Sequence, residues 1–474
     1  MKKAKKFNFV PRTINPVKIT NAVILSGNEH IRLAGTVLSE NSPWIDVNIL
    51  PDPITASEYL SDQPSVLLFD DTALSFVDTE KIKANNKDVV LILLSSNDLI
   101  NKSSPSVAKQ KYPYTAKADL IFAIDNFEFL PEKIITSVVR CAEDKLNIEK
   151  YSSERRYIFL LVDDEPRWFS QFLPLLYNII GQRADVMVTR TYEQALKFLF
   201  DVNCSSEISE DYFSKGHGDD VVCLITDIFF PKNDTLESEA GRELVNLVNK
   251  RYPRIPIIIA SKAKEAELLR SIAYILPKGD PGSLEKLSDY INDFTGMGDF
   301  IIRGKTGWEH YRIKHIRELY DIILRADKST KKAEKLRQFF EMYGEKDYFS
   351  TWLYMHGFRQ LGDELRPRRD SGQRLVTVLK RYLKREILRM KLTPLEIEGK
   401  EIYYLTDLLT LLRTINPDKI QHFTDHDIFS NWLDRKGYPE LAEAFRPVHG
   451  SGNKLKETLI KIIEKWINIY LERL

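Results

Sequence analysis

Residues 157–165, YIFLLVDDE, constrain the fold more tightly than any other stretch of the chain. A continuous apolar run that stops at charge reads as a parallel strand covered by helices on both faces. Its carboxyl end delivers two adjacent acids, Asp163 and Asp164. In open α/β sheets ligand chemistry gathers at such strand ends. Three further runs end in the same manner. VVCLITDIFFP places Asp227 at a strand end, IPIIIASK ends on Ser261, and YILPKG ends on Lys278. An acid pair, a lone Asp, a hydroxyl and a Lys therefore fall at successive strand ends.

This constellation resembles the receiver domain of two-component response regulators, over residues 155–296, through LLVDDE, LITDIFFP, IIIASK and ILPKG in that order. The resemblance implies a phosphoryl-accepting Asp227. It also implies Mg²⁺ held by Asp164, Asp227 and the Phe229 backbone carbonyl, with Asp163 in support. Ser261 matches the switch hydroxyl and Lys278 the lysine that pairs with the phosphoryl group. The chemistry needs these residue types: a carboxylate attacks a phosphoryl donor only when a hard cation and a lysine offset the crowded negative charge. Three departures stand out. Gly279 follows Lys278 where the family usually has Pro, Ile275 occupies the aromatic switch position with Tyr274 one residue off, and the loops after Cys204 and after Lys232 are long.

The 474 residues suffice for about three domains of ordinary size. No apolar run approaches the roughly 20 residues of a membrane span, and the basic opening MKKAKKFNFVPRT has no apolar core of a signal peptide. Cys141, Cys204 and Cys223 share no metal spacing and suit a reducing compartment, so a cytoplasmic protein without membrane insertion is expected. The net charge of +1 hides an asymmetry. From Ile301 onward 34 Lys and Arg face 25 Asp and Glu, a balance of +9 that leaves −8 for residues 1–300.

Residues 1–20 read as a polar leader. From residue 21 to 150 apolar strands again alternate with amphipathic helices, which argues for a second doubly wound sheet. Its rhythm is that of a receiver, but Ser26-Gly27 stand where the acid pair belongs and Ile124-Asp125 where the Lys belongs. Asp70 or Asp71 takes the acceptor position and Ser95 that of the hydroxyl. Without the acid pair little remains to bind Mg²⁺. A degenerate, unphosphorylated receiver used for packing or dimerisation is expected.

Beyond Gly296 and Gly298 the chain repeats itself. Residues 349–379 and 429–459 align without a gap, and 12 of the 31 positions are identical, which chance does not give. The shared residues include Trp352/Trp432 and Arg366/Arg446, the latter followed by Pro367/Pro447. Ser350 or Ser430 is expected to cap the helix carrying F-S-x-W-L, and Gly357 or Gly437 to end it in the left-handed region. Two units, 299–393 and 394–474, would bury together what neither buries alone. This repeat resembles a helical segment that follows receiver-like domains in phosphoenolpyruvate-synthase-like proteins, whose catalytic parts have no counterpart in this sequence.

The expected architecture is thus two flavodoxin-like, doubly wound parallel-sheet domains in tandem, followed by a mostly helical repeat region. The expected function is that of a response regulator, not an enzyme. A histidine kinase or phosphotransfer protein would phosphorylate it, and its repeats, including Trp352, Arg366, Trp432 and Arg446, would contact an output protein or a second copy. Two other readings stand beside this one. The basic stretch RPRRDSGQRLVTVLKRYLKREILRMK could bind nucleic acid, although Leu375, Val376, Leu379, Leu383 and Ile387 recur at helical spacing and make a solvated basic face the commoner explanation. The chain could also be the regulatory subunit of a separate phosphoryl-transfer enzyme. The eight histidines show no metal-ligand spacing and no phosphate-loop motif occurs in working context.

Overall fold

A computed structural model describes residues 17–42, 44–50, 59–60, 63–73, 77–124, 131–150, 156–208, 216–237, 239–303, 309–345, 348–365 and 370–472. The chain divides into two compact units, Phe7–Asn178 with Ala184–Ser288, and Ile179–Arg183 with Asp289–Leu474.

The first unit contains two five-stranded parallel sheets. Strands β1 (Asn21–Leu25), β2 (Asp46–Leu50), β3 (Ser65–Asp70), β4 (Val89–Ser95) and β5 (Leu120–Ala123) lie in the order β2-β1-β3-β4-β5. In the second sheet, β6 (Ile158–Val162) and β7 (Asp185–Thr189) are followed by β8 (Val221–Thr226). A short antiparallel pair, β9 (Phe230–Lys232) and β10 (Thr235–Glu237), precedes β11 (Ile257–Ser261) and β12 (Tyr274–Pro277). Its order is β12-β11-β8-β6-β7. Counted within each half, both are the doubly wound 2-1-3-4-5 order whose switch point lies between the first and third strands. β1, β6, β8 and β11 are buried along their whole length, as continuous apolar runs between helical layers require.

The two sheets protect each other's edges. β5 and β7 are edge strands, and an open edge presents unpaired N–H groups. Ala123 N donates to Ser170 Oγ at 3.0 Å, from the helix Pro166–Ile180 of the second half. Val186 N donates to the fully buried Asp144 Oδ2 at 2.8 Å, from the helix Pro131–Lys150 of the first. Arg140 on that helix donates to Ala184 O at 3.2 Å. The helix Pro131–Lys150 thus packs sideways onto its neighbour's sheet. The long loop after Asp227 holds the pair β9 and β10, joined through Asn233 (φ 51°) and Asp234 (φ 60°). Two successive left-handed residues are what a tight hairpin of this hand needs.

In the second unit one succession of elements occurs twice. Strands β13 (Phe300–Arg303) and β14 (Glu309–Ile313) pair and precede helices Ile316–Ala326, Lys331–Glu345, Tyr348–Met355, Arg359–Leu365 and Gly372–Leu392. Strands β15 (Leu395–Ile397) and β16 (Lys400–Ile402) pair and precede Leu405–Thr414, Ile420–Asp425, Ile428–Lys436, Pro439–Phe445 and Gly452–Glu472. Trp352 is wholly buried against Phe300 and Trp432 is 5 % exposed. Gly357 (φ 82°) and Gly437 (φ 91°) end their helices in the left-handed region. The serine capping expectation fails in both copies. The first helix is already under way at Tyr348, so Ser350 lies inside it. The second already starts at Ile428, so Ser430 lies in its first turn and donates back to Asp427 O at 3.1 Å. Arg366 lies outside the described residues.

On Gly372–Leu392, Leu375, Val376, Leu379 and Leu383 are buried, while several of the cations pair with acids of the same unit. Lys380 meets Asp327 at 2.5 Å, Arg385 meets Glu364 at 2.5 Å and Arg374 meets Asp370 at 2.7 Å. Among the described residues no helix is long and apolar enough to cross a membrane.

Candidate functional site

Strand register fixes what meets at the carboxyl edge of the second sheet. β6 pairs with β8 so that Val162 lies opposite Thr226, and Asp227 N donates to Val162 O at 2.9 Å. Asp163 and Asp227 therefore leave adjacent strands side by side. β11 ends on Ser261 opposite Pro277, which brings Lys278 in from the next strand. Lys278 Nζ lies 2.6 Å from Asp163 Oδ2 and 2.5 Å from Asp227 Oδ2. The lysine is only 3 % exposed, Asp163 2 % and Asp164 5 %. Asp227 is the most open of the group, with 13 % of its side chain accessible.

Each group is held on its far side. Asp227 Oδ1 accepts from Ile228 N at 2.6 Å and, weakly, from Phe229 N at 3.5 Å. Asp163 Oδ1 accepts from Glu165 N at 3.0 Å. The Asp164 carboxylate meets no hydrogen-bond donor among the described residues. The Ser261 hydroxyl accepts from Ala263 N at 3.3 Å, and its carbonyl accepts from Lys278 N at 3.2 Å. Direct contact thus joins Asp163, Asp227 and Lys278. Asp164 adjoins Asp163 along the chain, and the Ser261 hydroxyl is turned to its own loop.

The electrostatics follow from this packing. Burial pushes Asp164 up to about 7, reinforced by the neighbouring Asp163 and Glu165. Burial also raises Asp163 to about 6, against the opposing pull of Lys278. On Lys278 burial works downward, but the two carboxylates outweigh it and the lysine stays charged. Three acids thus crowd one cation. Mg²⁺ is a hard ion that takes one or two carboxylates and keeps several waters. Among the described residues no three His, Cys, Asp or Glu side chains converge as a ready-made metal cage. An undonated, buried Asp164 carboxylate next to Asp163 is the kind of oxygen donor such an ion takes.

Strand-end reasoning missed two residues. Arg190, just beyond the edge strand β7, donates to Asp164 O through Nη2 at 2.6 Å and Nε at 3.1 Å. It also reaches Ser103 O of the first half at 3.4 Å, and burial lowers it to about 10. β7 lacks the continuous burial of the central strands, being half-buried at Met187 and Val188, so its end carries no apolar-run signal. Trp168, four residues after Asp164 and within the first turn of the next helix, places its ring 5.1 Å from Lys278 Nζ and 5.2 Å from Lys262 Nζ. Gly279 sits at φ 83°, with Trp168 Cη2 3.0 Å from where a Cβ would stand. Proline, locked near φ −65°, is excluded there. Across the site, a Cβ on Gly241 would lie 2.6 Å from Asp227 O and 2.5 Å from Ile228 Cα. Gly241→Ala is expected to displace the acceptor loop and to cost about 1–3 kcal/mol. An unchanged urea midpoint would contradict that placement.

The first sheet shows the same register with different residues. β1 places Leu25 opposite Phe69, so Ser26 corresponds to Asp163 and Asp70, not Asp71, to Asp227. β4 and β5 align Ser95 with Ala123, which puts Ile124 at the lysine position. Ser26 Oγ donates to Asp70 Oδ2, and Thr72 N and Oγ1 donate to Oδ1 at 2.9 and 2.5 Å. Asp71 instead accepts from Ser95 Oγ at 3.0 Å. Hydrogen bonds from hydroxyls close this pocket where a lysine bridges the other.

No protein-family model matches the chain, and no curated protein matches it. Among solved structures, one described as a two-component system response regulator/GGDEF domain protein has 15 % identity and a TM-score of 0.27, over 57 % of this chain and 98 % of that one. NtrX from Brucella abortus, in complex with ADP, has 12 % identity and a TM-score of 0.22, over 94 % of this chain and 99 % of that one. A sugar binding protein from Salmonella typhimurium LT2 has 10 % identity and a TM-score of 0.20, over 57 % of this chain and 88 % of that one. At these scores the fold assignment rests on the two sheet orders.

Proposed function

We propose that this chain is a cytoplasmic response regulator that accepts a phosphoryl group on Asp227. The observation that carries the reading is the buried Lys278 bridging Asp163 and Asp227, with Asp164 beside them, at the switch point of a doubly wound sheet. Asp227 Oδ attacks the phosphorus of a phosphohistidine on a kinase or phosphotransfer protein. The P–N bond breaks, the imidazole leaves neutral because its other ring nitrogen already carries a proton, and an acyl phosphate remains on Asp227. Mg²⁺ bound by Asp164, Asp227 and the Phe229 carbonyl would neutralise phosphoryl charge at this edge. Lys278 supplies a fixed cation, and loss of its bond to the Asp227 oxygen frees it for the phosphoryl oxygens. Ser261 must turn its hydroxyl from Ala263 N toward the new group, a local change able to bias a neighbouring face.

The chain is not itself an enzyme in this reading. The first half serves as a packing partner, and the helical copies carry the output by protein contact. Pairing of the basic helix with Asp327, Glu364 and Asp370 supports a protein partner over a nucleic acid. Incubation with acetyl phosphate and Mg²⁺, followed by intact-mass measurement, is expected to add one hydroxylamine-labile phosphoryl group to wild type and to Asp70→Asn, but none to Asp227→Asn. Label surviving in Asp227→Asn, or absent from wild type, would overturn the assignment.

A further inference from the structure

A pocket of about 400 Å³ opens between the two helical copies, with Gly357 and Arg359 from the first and Pro394, Glu396, Trp432 and Arg435 from the second among its walls. Three buried polar atoms on these walls have no hydrogen-bond partner: Trp432 Nε1, Arg435 Nε and Asn431 Oδ1. Orphaned buried polar groups are rare, because each forfeits its hydration. Trp432 is 5 % exposed, so bulk water does not satisfy it.

The repeat supplies an internal control. In the first copy the equivalent Trp352 donates its indole N–H to Gly298 O at 3.0 Å, two residues before β13. In the second copy the corresponding stretch before β15 is Thr393-Pro394, which forms a wall of the pocket and leaves the indole N–H open. Arg435 is likewise only half engaged. Its Nη2 donates to Gly357 O at 2.6 Å, while its buried Nε has no acceptor. An indole N–H and a guanidinium N–H only donate, so the missing partner must be an acceptor. Arg359, Arg435 and His426 stand on the walls against a single acid, Glu396, which is exposed at the rim. Glu386 and Asp434 act on Arg435 through their charge but are not among the residues that line the pocket.

We infer that this pocket binds a small oxyanion, with Trp432 Nε1 and Arg435 Nε as its donors and Asn431 Oδ1 taking a hydroxyl proton of the ligand. Hydrogen phosphate is the simplest species with both functions, and a phosphate ester or hydroxy acid shares them. Because Gly357 and Arg435 belong to different copies, occupancy would tie the two copies together at one point. This site is independent of Asp227 and stands whether or not that residue is phosphorylated.

The test is a ¹H–¹⁵N correlation of the six tryptophan indoles in the full chain, titrated with inorganic phosphate against chloride at matched ionic strength. Trp432→Phe assigns the Trp432 resonance, and Arg435→Gln provides a second variant that keeps the indole. Phosphate is expected to move the Trp432 N–H saturably downfield and to leave Trp352 in place, with at least tenfold weaker binding in Arg435→Gln. A Trp432 resonance that follows chloride and phosphate alike, or responds equally in Arg435→Gln, would overturn the proposal.

Discussion

Lys278→Met is expected to destabilise the second sheet by about 3–5 kcal/mol at pH 8, the usual cost of removing one partner of a buried ion pair. The lysine is 3 % exposed and touches two carboxylates at 2.6 and 2.5 Å. Methionine fills its volume but leaves Asp163 and Asp227 facing each other without a cation. The acids can escape by taking up a proton, so the loss should shrink at pH 5. Asp163→Asn in the same chain removes one of the repelling charges and should recover most of the loss, a coupling that a double-mutant cycle isolates. The readout is hydrogen exchange of β6, β8 and β12 amides under urea, because the several domains of this chain need not unfold together. Equal protection in wild type and Lys278→Met at pH 8 would mean that the lysine is not holding the acids.

The second large effect is the dependence on Mg²⁺ and pH. Burial first, then Asp163 and Glu165, raise Asp164 to about 7, against an unfolded value near 3.8. Between those values the metal-free native state binds more protons than the unfolded chain, so its stability falls as pH rises from about 4 to about 7. In the proposed reading Mg²⁺ takes the ionised form and would compete with that proton. Each pH unit below about 7 should weaken apparent Mg²⁺ affinity roughly tenfold. Thermal unfolding should therefore show little Mg²⁺ stabilisation near pH 5.5. Near pH 8 it should show about 2–3 kcal/mol when Mg²⁺ is about a hundredfold above its dissociation constant. Asp164→Asn should abolish the response at both values. Equal stabilisation at pH 5.5 and pH 8 would rule out Asp164 as the metal's ligand.

The site and its supports were legible to different degrees. The meeting of Asp163, Asp227 and Lys278 could be read from the sequence because each closes an apolar run at a strand end, whereas the Ser261 hydroxyl, expected among them, is turned to its own loop. Arg190 could not be read there, since it follows a half-buried edge strand and acts through its reach to the Asp164 carbonyl. The choice between Asp70 and Asp71 was equally closed, because neighbouring strand residues differ only by the register that pairs Leu25 with Phe69.

By itself the sequence determined two α/β halves and a duplicated helical segment. Apolar runs must be buried, helical faces recur at their own period, and 12 identities in 31 positions survive in plain view. Only the tertiary structure decided that Ser170 and Asp144 would cover each other's sheet edges. It alone left Trp432 without the carbonyl that Trp352 has. Both depend on groups brought together from distant parts of the chain, and local propensity carries no information about which distant donor an acceptor will meet.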